Sequence, residues 1–330
     1  MKKIKQFEND LKSGYQGIVN SEIVLKTERL LRKLILPGFD GMPLYDVLMF
    51  FIKGLNKGAL TLRAAAFTYN SFLAIFPTII FFFTIIPYIP INNFQENLMA
   101  LLAEFIPESA FQTVETTVYD IVNKPRGGLL SLGFLLALIF STNGIASLIG
   151  AFNQTYHSIE TRPFIIQRLV AIVIVLLLSG MVILAIALMT IGPPLLNTLV
   201  DLGILHHGLI YYLVLILRWL VILALLFFAF STLYYLAPAK KNKFRFISAG
   251  STLATLLTIL LSGGFNYYVT HFTSYNRLYG SIGTLMVIML WLYFNGLIML
   301  IGFELNASII EARHKHDHDL DQNHDLSKNK

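Results

Sequence analysis

The sequence predicts an all-α, polytopic membrane protein: six transmembrane helices, an amphipathic cap on the outer side, and an interfacial helix near the N-terminus. Three observations carry that expectation. Hydrophobic residues make up 55% of the chain and charged residues only 13%, with a mean hydropathy of +0.66, outside the range of soluble domains. Six stretches hold the roughly 20 apolar residues needed to cross a hydrocarbon core about 30 Å thick. The basic residues fall almost entirely on alternate connections between those stretches.

Residues 1–62 read as a cytoplasmic arm. Its opening, MKKIKQFENDLKSGYQG, has the charges of a signal peptide but not the apolar region and small-residue cleavage site that should follow, so no removed segment is expected. Lys2, Lys3 and Lys5 suit contact with anionic headgroups. Leu44, Val47, Leu48, Phe51, Ile52 and Leu55 then recur at helical spacing, with Lys53 and Lys57 alongside. That is the pattern of a helix lying along a membrane surface.

The membrane domain is expected at 63–310, with spans at about 66–89, 129–151, 168–192, 209–237, 247–270 and 282–307. The connection at 90–128 carries two apolar stripes, Phe94, Leu98, Leu101, Phe105 and then Phe111, Val114, Val118, Ile121, separated by Pro107. Two amphipathic helices folded over the outer mouth would satisfy this pattern, acting either as a shield for helix ends or as a lid. With both termini inside, eleven Lys or Arg up to Arg63, then Arg162 and Arg168, four at 240–245 and four in the tail are cytoplasmic. Only Lys124, Arg126 and Arg277 are outside, twenty-one against three. Residues 311–330 are expected to be a disordered, His- and Asp-rich tail.

The net charge of +6 is thereby assigned to lipid rather than nucleic acid. The absence of cysteine excludes disulfides, thiol catalysis and cysteine-based metal sites. No P-loop is present, so ATP does not directly drive transport in this chain. The cytoplasmic segments place His157 and Glu160 near Arg162 but show no second carboxylate cluster and no metal-ligand spacing, so enzymatic hydrolysis of RNA is not expected, and no cofactor is implied. His314, His316 and His318 leave a weak metal-binding possibility beside the reading of a solvated tail.

Three stretches together resemble a known family: RAAAFTYNSFLAIFPTIIFF from Arg63, FNQTYHSIETRPF from Phe152, and YYLAPAKKNKFRFISAG followed by YGSIGTLMVIMLWLYFNGLIMLIGFELNA. This order of motifs, over roughly 45–310, is similar to that of the YihY/BrkB family of bacterial inner-membrane proteins. The resemblance implies six spans, a cytoplasmic-membrane address and links to envelope resistance or virulence. The family has carried an old ribonuclease label and later suggestions of transport.

Polar groups inside apolar spans need protein or water partners, which makes each a functional candidate. Tyr69, Asn70 and Pro77 in the first span, Asn143 in the second, Arg218 in the fourth, Asn266 and Tyr267 in the fifth, and Asn295 in the sixth are candidates for a substrate pathway. Pro77 removes a backbone hydrogen bond and is expected to break its span. Arg218 lies about 13 Å below the outer helix end, too deep to snorkel easily; it either recognises an anionic ligand or bonds backbone carbonyls. Asn295, about 20 Å down, either bonds a neighbouring helix or lines the pathway. Glu304, about 33 Å down, matches Arg63 and Arg162 in depth; the three form either a fixed clamp or a gate. The functional expectation is a transporter or exporter of a small polar or amphiphilic, lipid-linked substrate, with membrane lipids as partners. The rival is a non-transporting scaffold in envelope assembly.

Overall fold

The computed structural model describes residues 22–57, 59–85, 127–155, 158–159, 162–201, 209–239, 246–271 and 281–328. These residues form α1 (Glu22–Lys33), α2 (Leu44–Lys57), α3 (Leu60–Ile85), α4 (Gly127–Asn153), α5 (Phe164–Asp201), α6 (Leu209–Leu236), α7 (Ala249–His271) and α8 (Ser281–Lys328). A two-residue antiparallel pair, β1 (Gln154–Thr155) and β2 (Ser158–Ile159), links α4 to α5. In hydrocarbon each backbone N–H and C=O must be bonded within its own segment, so apolar runs of this length become helices. The expected outer cap at 90–128 lies outside the described residues apart from Gly127 and Gly128, which open α4.

Five segments, Leu60–Phe81, Gly127–Asn153, Phe164–Met189, Tyr211–Leu236 and Leu285–His318, are long and apolar enough to cross a membrane. They correspond to five of the six expected spans. The sixth, 247–270, is α7, whose 23 residues give it the length of a span while Ser251, Thr252, Thr255, Thr258 and Ser262 make it more polar. Several of these hydroxyls turn back on their own helix: Thr255 donates to the Ser251 carbonyl and Ser262 to the Thr258 carbonyl, both at 2.8 Å. The chain is an all-α polytopic membrane protein in which one long helix carries a polar stripe.

Contacts at the helix ends make successive long helices antiparallel. The start of α3 meets the end of α4 through Arg63, and the residue pair before α5 meets the end of α6 through Arg162. The start of α7 meets the middle of α8 at Gly250 and Gly302. These ends define one basic face. The main core lies towards it, in Ala64, Phe67, Phe152, Leu233, Tyr234 and Phe303, with the rings of Phe152 and Phe303 stacked at 4.2 Å. Helix α6 is buried at that face through Phe230, Leu233 and Tyr234 and more than half exposed at its other end through Tyr212, Leu213 and Ile216, whereas α5 is exposed along its length, from Phe164 and Ile165 to Val182 and Ile186.

Helix α8 is the shared wall, touching α2, α3, α4 and α7. Its crossing with α7 requires glycine on both sides. A Cβ on Gly302 would lie 2.7 Å from the Gly250 carbonyl oxygen, and one on Gly250 would run into the Gly302 carbonyl. Small residues let helix backbones approach where lipid offers no hydrophobic drive for association.

Three expectations are corrected. The span containing Pro77 is not broken: α3 runs continuously from Leu60 to Ile85, and Thr78 next door donates to the Ala74 carbonyl at 2.7 Å. Helix α2 is not simply laid on lipid, because its buried residue Val47 packs with Phe39 and Met42 against Leu305, Ile309 and Ala312 of α8. The tail expected to be disordered is helical to Lys328. It continues a span already in register, and Arg313 on it reaches Asp40 at 3.8 Å in the turn before α2 and Asp317 at 4.0 Å one turn on. That turn has Gly38, Asp40 and Gly41 at positive φ, where glycine and aspartate are tolerated.

Gly302→Val should therefore separate α7 from α8 and cost roughly 1–3 kcal/mol or more, as overpacking does. Thermal unfolding in detergent checks this: a lowered midpoint is expected, with Gly128→Val, which has nothing within 4 Å of its added Cβ, as the tolerated control.

Candidate functional site

Glu304 is the most deeply buried charge described, its side chain 1% exposed, and the Arg63 guanidinium, 10% exposed, approaches it to 4.0 Å. Arg63 also donates from Nη1 to the carbonyls of Ala151 and Gln154, both at 2.8 Å. Those carbonyls end α4, where unpaired oxygens and the helix dipole favour a cation. Gly54 of α2 lies directly against the Glu304 carboxylate, which any Cβ at that position would strike. A carboxylate and a guanidinium taken out of water are tolerated only when paired, and here four helices supply the enclosure.

One turn earlier on α8, the buried Tyr234 hydroxyl donates to the Met299 carbonyl at 2.9 Å and lies against Gly302. One half-turn later, the Asn306 side chain accepts from the Gly250 backbone N–H at 2.8 Å and donates to the Ser248 hydroxyl at 2.9 Å. Ser248 in turn accepts the Ser251 N–H at 3.2 Å as the N-cap of α7. Tyr234, Glu304 and Asn306 thus tie α6, α3 and α7 to one stretch of α8, and together with Gly54 they close the basic face.

Of the expected clamp, Arg63 and Glu304 meet, but Arg162 does not join them. It donates to the carbonyls of Leu236 at 3.2 Å, Ala237 at 3.3 Å and Pro238, capping α6 as Arg63 caps α4. Burial pulls its guanidinium below the ordinary arginine value.

The pathway candidates are not gathered into one site. Asn143 accepts from Arg168 at 2.5 Å, joining α4 to α5. Asn70 donates to the Ala66 carbonyl at 2.9 Å and Asn295 to the Trp291 carbonyl at 2.8 Å, so both amide groups are used within their own helices. Pro77 is buried in α3, whereas Tyr69 and Tyr267 are 60% and 65% exposed and Asn266 is exposed beside the latter. Arg218 lies partly buried on α6, away from the basic face. His314 and His318 share a face of α8 but His316 points elsewhere, as i, i+2 positions must, and no group of three or more metal-binding side chains occurs among the described residues.

Tyr234, Gly54, Gly250 and Gly302 are not among the residues the sequence points to, and Asn306, which by its depth near the interface needs no special role, in fact holds the start of α7. The spacing Gly302 to Asn306, four residues on one helix face, together with the capping run Ser248-Ala249-Gly250, is the signal that could have found part of the cluster.

The family described as Virulence factor BrkB matches residues 51–326, which include every residue of this junction from Gly54 to Asn306. The chain belongs to the BrkB family. It is 32% identical over 245 residues to a protein of Bacillus subtilis (strain 168) that bears the name ribonuclease-like protein YfkH, covering 74% of this chain and 88% of that one. It is 25% identical over 281 residues to a UPF0761 membrane protein of Aggregatibacter aphrophilus (strain NJ8700), covering 82% and 95%. A UPF0761 membrane protein of Vibrio campbellii is 41% identical over 110 residues, about a third of each chain (33% and 34%). No solved structure matches. BrkB membership makes this a membrane protein, in agreement with its apolar helices.

Removing one member of the buried pair leaves the other unpaired, so Glu304→Ala should cost about 3–5 kcal/mol. Tyr234→Phe deletes one neutral hydrogen bond and should cost only about 1 kcal/mol. Equilibrium unfolding of the purified variants in mixed micelles measures both; equal losses would contradict the ranking.

Proposed function

We propose that this BrkB-family protein is a transporter or exporter of the bacterial inner membrane, with both termini cytoplasmic, moving a small polar or amphiphilic, lipid-linked substrate through its bundle. The observation that carries the reading is the asymmetry of packing. On the basic face, α2, α3, α4, α6, α7 and α8 are drawn together by Arg63, Glu304, Tyr234 and Asn306, while among the described residues the far half of α6, with Tyr212, Leu213 and Ile216, is largely exposed. A bundle shut on one side of the membrane and loose on the other is what alternating access requires of each end state.

On this reading Gly54, Arg63 and Glu304 are the inner gate. Their 4.0 Å contact is an ion pair longer than a hydrogen bond, and water admitted on opening would solvate both charges. Membrane lipids are its surroundings and its substrate is a small molecule or lipid; it takes no nucleic acid and performs no covalent chemistry. The ribonuclease-like label belongs to YfkH by name, and incubating the purified protein with RNA and divalent ions tests whether it extends here.

A second reading, a non-transporting scaffold for the cell envelope, is favoured by the polar residues satisfied within their own helices, Asn70 and Asn295. Flux through proteoliposomes separates the two. Wild-type protein should move at least one probe among osmolytes and fluorescent lipids, and Glu304→Gln should slow it on the order of tenfold, the factor that corresponds to 1.4 kcal/mol. If folded wild type moves nothing, the scaffold is the better reading.

A further inference from the structure

We propose that Arg218 is the charge-recognition residue of a site for the anionic headgroup of a membrane amphiphile, reached sideways from the bilayer between α5, α6 and α7. This names the substrate class and rests on the transport reading above.

Arg218 stands nine residues into α6, about 13 Å from that end of the helix. Its Nε and Nη1 atoms are buried and have no hydrogen-bond partner among the described residues. The ring of its neighbour Trp219, with its centroid 5.6 Å from the guanidinium carbon, is its described electrostatic contact. A buried cation in this condition is costly, and an incoming anion that accepts from those nitrogens removes the cost. The three helices cannot supply that anion themselves. Helices α6 and α7 contain no Asp or Glu, and α5 has only Asp201 at its last position.

The helix pairing shows what surrounds this level. Arg162 fixes the start of α5 beside Leu236 at the end of α6, and Gly302 brings Tyr234 and Gly250 together. Counting outward along antiparallel helices from those contacts, Arg218 comes level with Gly180 on α5 and with Asn266 on α7, one turn beyond Gly263 and Gly264. A Cβ built on Gly180, Gly263 or Gly264 has nothing within 4 Å. Gly180, Gly263 and Gly264 are exposed, so small, uncovered residues stand at or within a turn of this level on α5 and α7, where glycines at the α7–α8 crossing are in tight contact.

Arg218 belongs to the partly buried face of α6 with Val214, Leu215 and Ile222, while Leu217, Trp219 and Leu220 on the other face are each more than half exposed. A soluble anion reaching this depth would leave its hydration behind and gain nothing from the exposed apolar faces. An amphiphile places its headgroup on Arg218 and lays its chains along those faces, burying apolar surface on both partners.

The test uses full-length protein in nanodiscs of phosphatidylcholine doped with phosphatidylglycerol, reading co-retained lipid by native mass spectrometry. Wild type should retain phosphatidylglycerol about tenfold more than its share of the bilayer, in line with a charged hydrogen bond. Arg218→Gln should abolish the preference and Arg218→Lys should keep part of it, each with an unchanged melting temperature. Undiminished preference in Arg218→Gln would overturn the proposal. Displacement of the retained lipid by millimolar glycerol 1-phosphate would overturn the amphiphile and assign Arg218 to a soluble anion. Should Arg218→Gln fail to fold, Arg218→Lys decides: a preference reduced below wild type supports the site, and a preference equal to that of wild type overturns it. Flux is measured separately, so lost transport with intact binding would refute the transporter and leave the site, while transport without lipid preference would refute the site alone.

Discussion

A carboxylate with 1% of its side chain exposed, set in an apolar helix bundle, dictates what can stand around it. Glu304 needs a cation, which Arg63 supplies, and it needs space, which Gly54 supplies by having no side chain. Arg63 in turn is held by the last carbonyls of α4. One ion pair therefore fixes the angular and axial positions of α2, α3, α4 and α8 relative to one another. The packing of Phe152 on Phe303 and the glycine crossing of α7 with α8 follow from the same alignment.

The arginines show one physical device used twice. A helix ending near a membrane face leaves carbonyls that lipid cannot satisfy. Arg63 covers those of α4 and Arg162 those of α6. The basic connections read in the sequence as an orientation signal also serve as helix caps. Arg218 stands outside this pattern, since it is inside a helix whose carbonyls are already bonded. The two halves of the bundle thus differ in their electrostatics as much as in their packing: charge is neutralised on the basic face and left available in the other half.

The helices were legible because run length and apolarity are local properties. Five spans fall where hydropathy put them, and α7 is the exception because its hydroxyl stripe dilutes the signal, although Thr255 and Ser262 bond only to their own helix. The Arg63–Glu304 pair was legible from depth alone, since rise per residue placed both at one level. Arg162 shared that level too, and depth could not tell a carboxylate partner from the end of α6. Asn295 illustrates a different limit: its i, i−4 neighbour Trp291 was visible as sharing its face, but the choice between own-helix and cross-helix bonding depends on what stands opposite. The tail misled because composition describes a free peptide, whereas here it is nucleated by the helix preceding it, which removes the cost of the first turn.

Helix α8 runs unbroken through 48 residues, about 72 Å at 1.5 Å per residue. Leu305, Ile309 and Ala312 are packed against Phe39, Met42 and Val47, so the free arm begins at Arg313 and runs to Lys328, about 22 Å. A tilt of about 5° at its base swings that end by roughly 2 Å, given the helix rise. Arg313, 3.8 Å from Asp40 at the base of the arm, couples any such swing to the turn before α2. Motion of the bundle would be readable outside the membrane as displacement of the C-terminal rod, and a load placed on that rod would be felt at that turn.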